Sequence, residues 1–103
     1  MISKFNLAKI AVKEGRSREA ISTLRVLAEQ ADGLGLKYLS VECSIYMGEA
    51  LVNGKDYSQA RQELNRALAR SEKLGLQILQ AKSHDLLGTA SRLMGNGIEA
   101  SRD

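Results

Sequence analysis

The chain has 103 residues, 44% of them hydrophobic and 26% charged, with a formal net charge of +3. That is room for one domain around one core, and it is too apolar for intrinsic disorder. The excess charge lies in residues 1–40, where seven Lys/Arg face four Asp/Glu; with only four aromatics in the chain, this is too sparse for a nucleic-acid footprint and argues against such a partner.

Proline is absent, so helices must be stopped by glycine. A single cysteine, Cys43, excludes an intrachain disulfide and points to a reducing, cytoplasmic setting. No basic segment leads into an apolar leader, and no apolar run approaches the roughly 18 residues of a membrane span.

In chain order, the first helix is expected near residues 2–14, with Gly15 as its stop, and the second near 17–32. Leu34-Gly35-Leu36 then reads as a turn, the glycine supplying a permissive backbone and the leucines packing against both neighbouring helices. Over 36–53 the residues Leu36, Leu39, Cys43, Tyr46, Met47, Ala50 and Leu51 recur at three- and four-residue steps, as one helical face requires. Gly54 is expected to close that helix in a left-handed conformation. Asp56 with Gln59 has the spacing of a capping box for a helix over 57–74, burying Ala60, Leu64, Ala67 and Leu68. Leu74-Gly75-Leu76 repeats the turn, a further helix follows, and Gly95 with Asn96 and Glu99 predicts another stop and start.

Displaced by forty residues, 1–40 and 41–80 share seven identities: Val12/Val52, Ala20/Ala60, Leu24/Leu64, the Leu-Gly-Leu triplet and Leu39/Leu79. A further step of forty puts Gly88 under Gly48 and Ala100 under Ala60. Internal periods of this size mark stacked supersecondary units. The expected organisation is a single domain over 1–103, with repeat 1 at 1–40, repeat 2 at 41–80 and a partial repeat 3 at 81–103. Small residues at Ala8, Gly48 and Gly88, and at Ala20, Ala60 and Ala100, are read as close-approach points between helices.

These residues resemble the tetratricopeptide repeat (TPR) family, whose pattern W-x2-L-G-x2-Y, A-x3-F is matched by Ser44-x2-Met47-Gly48-x2-Leu51 and Ala60-x3-Leu64 in the second unit. The first unit offers Leu7-Ala8 and Ala20-x3-Leu24, and the third Leu87-Gly88. Asp32 and Glu72 stand where the family has a closing proline, and the forty-residue period resembles the longer-helix variety. The resemblance implies an all-α fold: a right-handed superhelical stack of antiparallel helix pairs, about two and a half repeats. It also implies a concave face, lined by the first helix of each pair, that binds a peptide or helix of another protein. The face maps to Phe5, Lys9, Val12 and Lys13; to Glu42, Ile45, Tyr46, Glu49 and Val52; and to Lys82, Asp85, Thr89 and Arg92. The family's clamp for C-terminal carboxylates is not matched, since Phe5, Lys9, Tyr46 and Leu86 occupy four of its positions and only Lys82 fits.

Chemistry is not evident in the sequence. Ser83-His84-Asp85 places three triad residue types side by side, but successive helical residues point about 100° apart and cannot form a relay. One His and one Cys offer no metal set, and no glycine cluster has phosphate-loop spacing, so no cofactor and no enzymatic activity are expected. His84 and Tyr57 read as packing residues, and Met47 and Met94 as core fillers. Because the third unit ends about two turns into its second helix, Leu86, Leu87, Ala90, Leu93 and Met94 are expected to lack a cover, so that either the chain is a segment of a longer regulatory or signalling protein or copies associate through this face into a homo-oligomer.

Overall fold

The computed structural model describes residues 3–102 of the chain, with side chains described through Gly95. Five helices follow in order: α1 (Lys4–Lys13), α2 (Ser17–Gly33), α3 (Lys37–Asn53), α4 (Tyr57–Leu74) and α5 (Gln77–Arg102), with no strand among the described residues. The all-α class expected from the sequence is the class observed.

The chain turns by one device used four times. Gly15, Gly35, Lys55 and Gly75 adopt left-handed φ values of +80°, +74°, +66° and +70°. The N–H of each following residue donates to the carbonyl five back: Arg16 to Ala11, Leu36 to Ala31, Asp56 to Leu51 and Leu76 to Ser71, all at 2.8–2.9 Å. Each left-handed residue also donates to the carbonyl three back. This pair of bonds satisfies carbonyls orphaned at the end of one helix while the chain swings into the next.

Four details differ from expectation. Gly54 has φ −84° and is not the left-handed residue; Lys55 is. Asp56 does precede α4, but its side chain makes no capping hydrogen bond. The reason is geometric. At φ −94° and ψ 69°, Asp56 is still completing the α3 turn, whereas Ser3, extended at ψ 158°, does cap α1 by accepting from the Asn6 N–H at 3.2 Å. Of the turn leucines, Leu74 and Leu76 pack on the core, but Leu34 and Leu36 are 74% and 48% exposed. Finally, α5 passes through Gly95 without a break, so no turn separates a sixth helix there; the side chains of Asn96, Glu99 and Ala100 lie outside the described residues.

α3 sits at the centre, packed against α1, α2, α4 and α5. That explains why its sequence is apolar or small nearly all round: Ser40, Val41, Cys43, Ser44, Ile45, Met47, Gly48, Ala50 and Val52 are all buried. One cluster joins Ala8, Val12, Ala20, Leu24, Cys43 and Met47 across α1, α2 and α3, and another joins Val41, Ile45, Leu64, Ala67 and Leu79 across α3, α4 and α5. α1 touches α3 and α3 touches α5 along their backbones, while α2 and α4 meet through the Arg70 side chain, which reaches Asp32 at 3.2 Å. Asn53 reinforces the α1–α3 pairing by donating from Nδ2 to the Val12 carbonyl at 3.0 Å, which occupies an acceptor at the end of α1.

Candidate interaction groove

One stripe of α3 escapes burial. Glu42, Tyr46 and Glu49 are only half-buried, and their spacing of four and three puts them on one helical face. α1 and α5 flank that face without packing on each other, so the three helices enclose a groove whose floor is α3.

Tyr46 is its centre. The Phe5 ring from α1 meets it edge-on, with centroids 5.7 Å apart and planes at 77°, an arrangement favoured by opposed ring quadrupoles. The Lys9 Nζ lies 5.2 Å from the Phe5 centroid and 5.6 Å from that of Tyr46, and the Lys82 Nζ approaches Tyr46 from α5 at 5.9 Å. Both ammonium groups are therefore held by ring faces. Neither has a carboxylate partner among the described residues. One turn along α1 the situation changes, because Lys13 pairs with Glu49 at 3.4 Å. An open depression of about 310 Å³ lies there, lined by Lys13, Ile45, Tyr46, Glu49, Lys82, Asp85 and Leu86.

Two larger hollows lie elsewhere. One of about 700 Å³ is framed by the α1–α2 and α3–α4 turns, where Arg16 is held by Glu14 and Glu19. The other, of about 450 Å³, lies on the outer side of α1 and α2 around Leu7, Ala8, Val26 and Leu27. Neither gathers side chains from three helices, as the groove does.

Several groove assignments change. Val12, Ile45 and Val52 are interior residues, although Ile45 also reaches the floor of the depression. Thr89 donates its hydroxyl to the Asp85 carbonyl, and Arg92 reaches back to Thr89 at 3.4 Å, so both are engaged along α5 itself. Leu86, assigned to the self-association face, also lines the depression, forty residues after Tyr46.

The expected self-association face is mostly covered by the chain's own helices. Leu86 and Leu87 pack on the Val41–Leu64–Leu79 cluster, and Ala90 is buried with Val52 and Ala60. Met94 is half-buried, and its Sδ lies 3.6 Å from Arg61 Nη1. Leu93, 37% exposed, is the large apolar side chain of this group that remains open.

Ser83, His84 and Asp85 diverge as expected: the Ser83 hydroxyl is buried and donates to the Leu79 carbonyl at 2.8 Å, while His84 and Asp85 are exposed. The exposure of His84 corrects its reading as a packing residue. No cluster of three metal-ligating side chains occurs among the described residues, and no described helix is long and apolar enough to cross a membrane. Comparison with protein-family models, curated proteins and solved structures returned no match.

Proposed function

We propose that the chain is a non-enzymatic, TPR-like interaction module of the reducing cytoplasm. Its helix pairs form a right-handed stack, and its α1–α3–α5 groove holds a segment of another protein. The observation that carries this reading is the convergence on Tyr46: three helices supply an aromatic pair and two carboxylate-free ammonium groups along a half-buried stripe of α3. Half-exposed aromatics on a rigid floor, with charges at the rim, are what concentrate binding energy in protein interfaces.

A photo-crosslinking amino acid at Asp85, on the groove rim, is expected to capture a different polypeptide in cells, and the capture is expected to vanish with Tyr46→Ala. The same group at Gln62, exposed on α4, is expected to capture nothing comparable. Equal adducts from both positions, or adducts insensitive to Tyr46→Ala, would contradict the reading.

A second reading, self-association, is favoured by exposed Leu7, Ile10 and Val26 on α1 and α2 and Leu93 on α5. A head-to-tail contact would bury them. Sedimentation should then show an oligomer that Leu93→Glu dissociates; a monomer at high micromolar concentration rules this reading out.

A further inference from the structure

We infer that the open outer face of α1 and α2 is a second docking site, apart from the groove, and that it seats an amphipathic α-helix of another protein lying antiparallel to α1, as α2 lies on α3 and α4.

The internal repeat shows what this face accepts. Leu7, Ala11, Glu19, Ser22, Thr23 and Val26 line the outer hollow of about 450 Å³. Forty residues on, the same phases are Met47, Leu51, Gln59, Gln62, Glu63 and Arg66, and those six line a hollow of only about 90 Å³. The difference is a helix: α2 packs on α3 there, and its Ile21 and Arg25 complete the wall of the smaller hollow. Met47, under that cover, is 6% exposed, whereas Leu7, at the same phase without it, is 51% exposed.

The lining defines the occupant. Where α2 covers the crevice, Glu63 and Arg66 pair with each other beside Arg25. At those two phases the open hollow has Thr23 and Val26, so an apolar side chain fits where α2 presents Arg25. Lys4 and Glu19 lie towards opposite ends of the hollow. A helix placed as α2 is placed starts beside Glu19 and ends beside Lys4, which sets its positive N-terminus at a carboxylate and its negative C-terminus at an ammonium. A second copy of the chain does not supply such a helix. Its α4 exposes Arg61, Gln62, Asn65 and Arg66, and the exposed large apolar side chains of α5, Ile78 and Leu93, stand roughly four turns apart.

The probes are a fluorescent peptide with the α2 sequence, residues 17–33, held helical by a hydrocarbon staple, and the same peptide with Arg25→Leu, both read by anisotropy. The Arg25→Leu peptide is expected to bind roughly fivefold or more tightly than its parent. Leu7→Ser with Val26→Ser in the chain, both positions half exposed, is expected to weaken that binding by about tenfold or more. Lys82→Ser, in the groove, is expected to alter it by less than about twofold. Leu7→Ala with Val26→Ala repeats the test should the serine pair lower helicity by circular dichroism. A nitroxide on the peptide's N-terminus is expected to broaden the amide signals of Glu19 and Ser22 and to spare that of Lys4.

Binding that is lost with Lys82→Ser and kept with the Leu7 and Val26 pair overturns the inference and puts the peptide in the groove. Broadening centred on Lys4, or on Gln59 of α4 where the peptide would have displaced α2, overturns the placement. A homodimer of the free chain that Leu7→Ser with Val26→Ser dissociates gives the face to a second copy and overturns the inference too, as does absence of binding by either peptide at millimolar concentration. The groove reading is decided separately by the Asp85 crosslink.

Discussion

Gly48 of α3 and Leu64 of α4 are so close that a methyl group on Gly48 would stand 2.5 Å from both Cγ and Cδ2 of Leu64. Leu64 is fully buried and cannot swing out of the way. Gly48→Ala is therefore expected to destabilise the fold by about 1–3 kcal/mol, as overpacking does. Gly88 occupies the same phase forty residues later, yet a methyl group there meets nothing within 4 Å. Gly88→Ala is expected to stabilise by about 0.5–1 kcal/mol through helix propensity alone. Urea denaturation of the two variants checks the opposite signs.

Lys55 is the one non-glycine residue at a positive φ among the described residues. It holds the same turn position as Gly15, Gly35 and Gly75, with the left-handed crowding of a side chain added. Lys55→Gly is expected to raise stability by about 0.5–1 kcal/mol, and Gly15→Ala to lower it by about 1 kcal/mol. Thermal unfolding of both variants reads the contrast.

Asp32 at the end of α2 accepts from Arg70 Nη2 of α4 at 3.2 Å, and the same guanidinium donates to the Ser40 hydroxyl of α3 at 3.0 Å. The Ser40 hydroxyl, and with it the Arg70 guanidinium, holds the Asp32 carboxyl below the usual carboxylate range against the opposing effect of burial. A lowered folded pKa means stability that is present above the unfolded value of about 3.9 and lost as pH falls through the folded value. Wild type is expected to exceed Asp32→Asn in urea midpoint at pH 6 and to match it near pH 2. With Asp32 55% exposed, the difference at pH 6 should stay under about 1 kcal/mol. A difference that persists at pH 2 would refute the linkage.

Cys43 lies fully buried in the α1–α2–α3 cluster, and burial, with the nearby Glu42 and Asp32 charges, pushes its thiol up to about 11. Thiolate is scarce at pH 8 and reagent access requires opening of the fold. Labelling by a thiol reagent should be at least about a hundredfold slower in the native chain than in urea. Native labelling as fast as that of the unfolded chain would contradict the packing.

The four turns illustrate what could be read from the residues. Leu-Gly-Leu at 34–36 and 74–76 marked two of them, and Gly15 a third. The geometric interval is twenty residues, since left-handed positions fall at 15, 35, 55 and 75, whereas identities recur only at forty. Alternate helices fill equivalent buried positions with different residue types: Ala20, Ser40 and Ala60 are all fully buried, as are Leu24 and Leu64 with Ser44 nearly so. Gly95 and Asn96 carry the local signs of the next turn, but α5 runs straight through them. Local glycine chemistry permits a turn, and at the four turns that form, the next helix packs back on the previous one and holds it. Of the residues assigned to the concave face, Phe5, Lys9, Tyr46 and Lys82 lie together, whereas Val12 and Val52 are buried, because apolar recurrence at helical phase marks the core more strongly than it marks a surface.

The groove is tested most directly by mapping backbone amide shifts of the isotope-labelled chain as the segment captured by the Asp85 crosslink is added. The shifts are expected to gather on α1, α3 and α5 around Lys9, Tyr46 and Lys82, leaving the exposed faces of α2 and α4 unmoved. Shifts confined to α2 and α4, or centred on Leu93 at the end of the stack, would contradict the account.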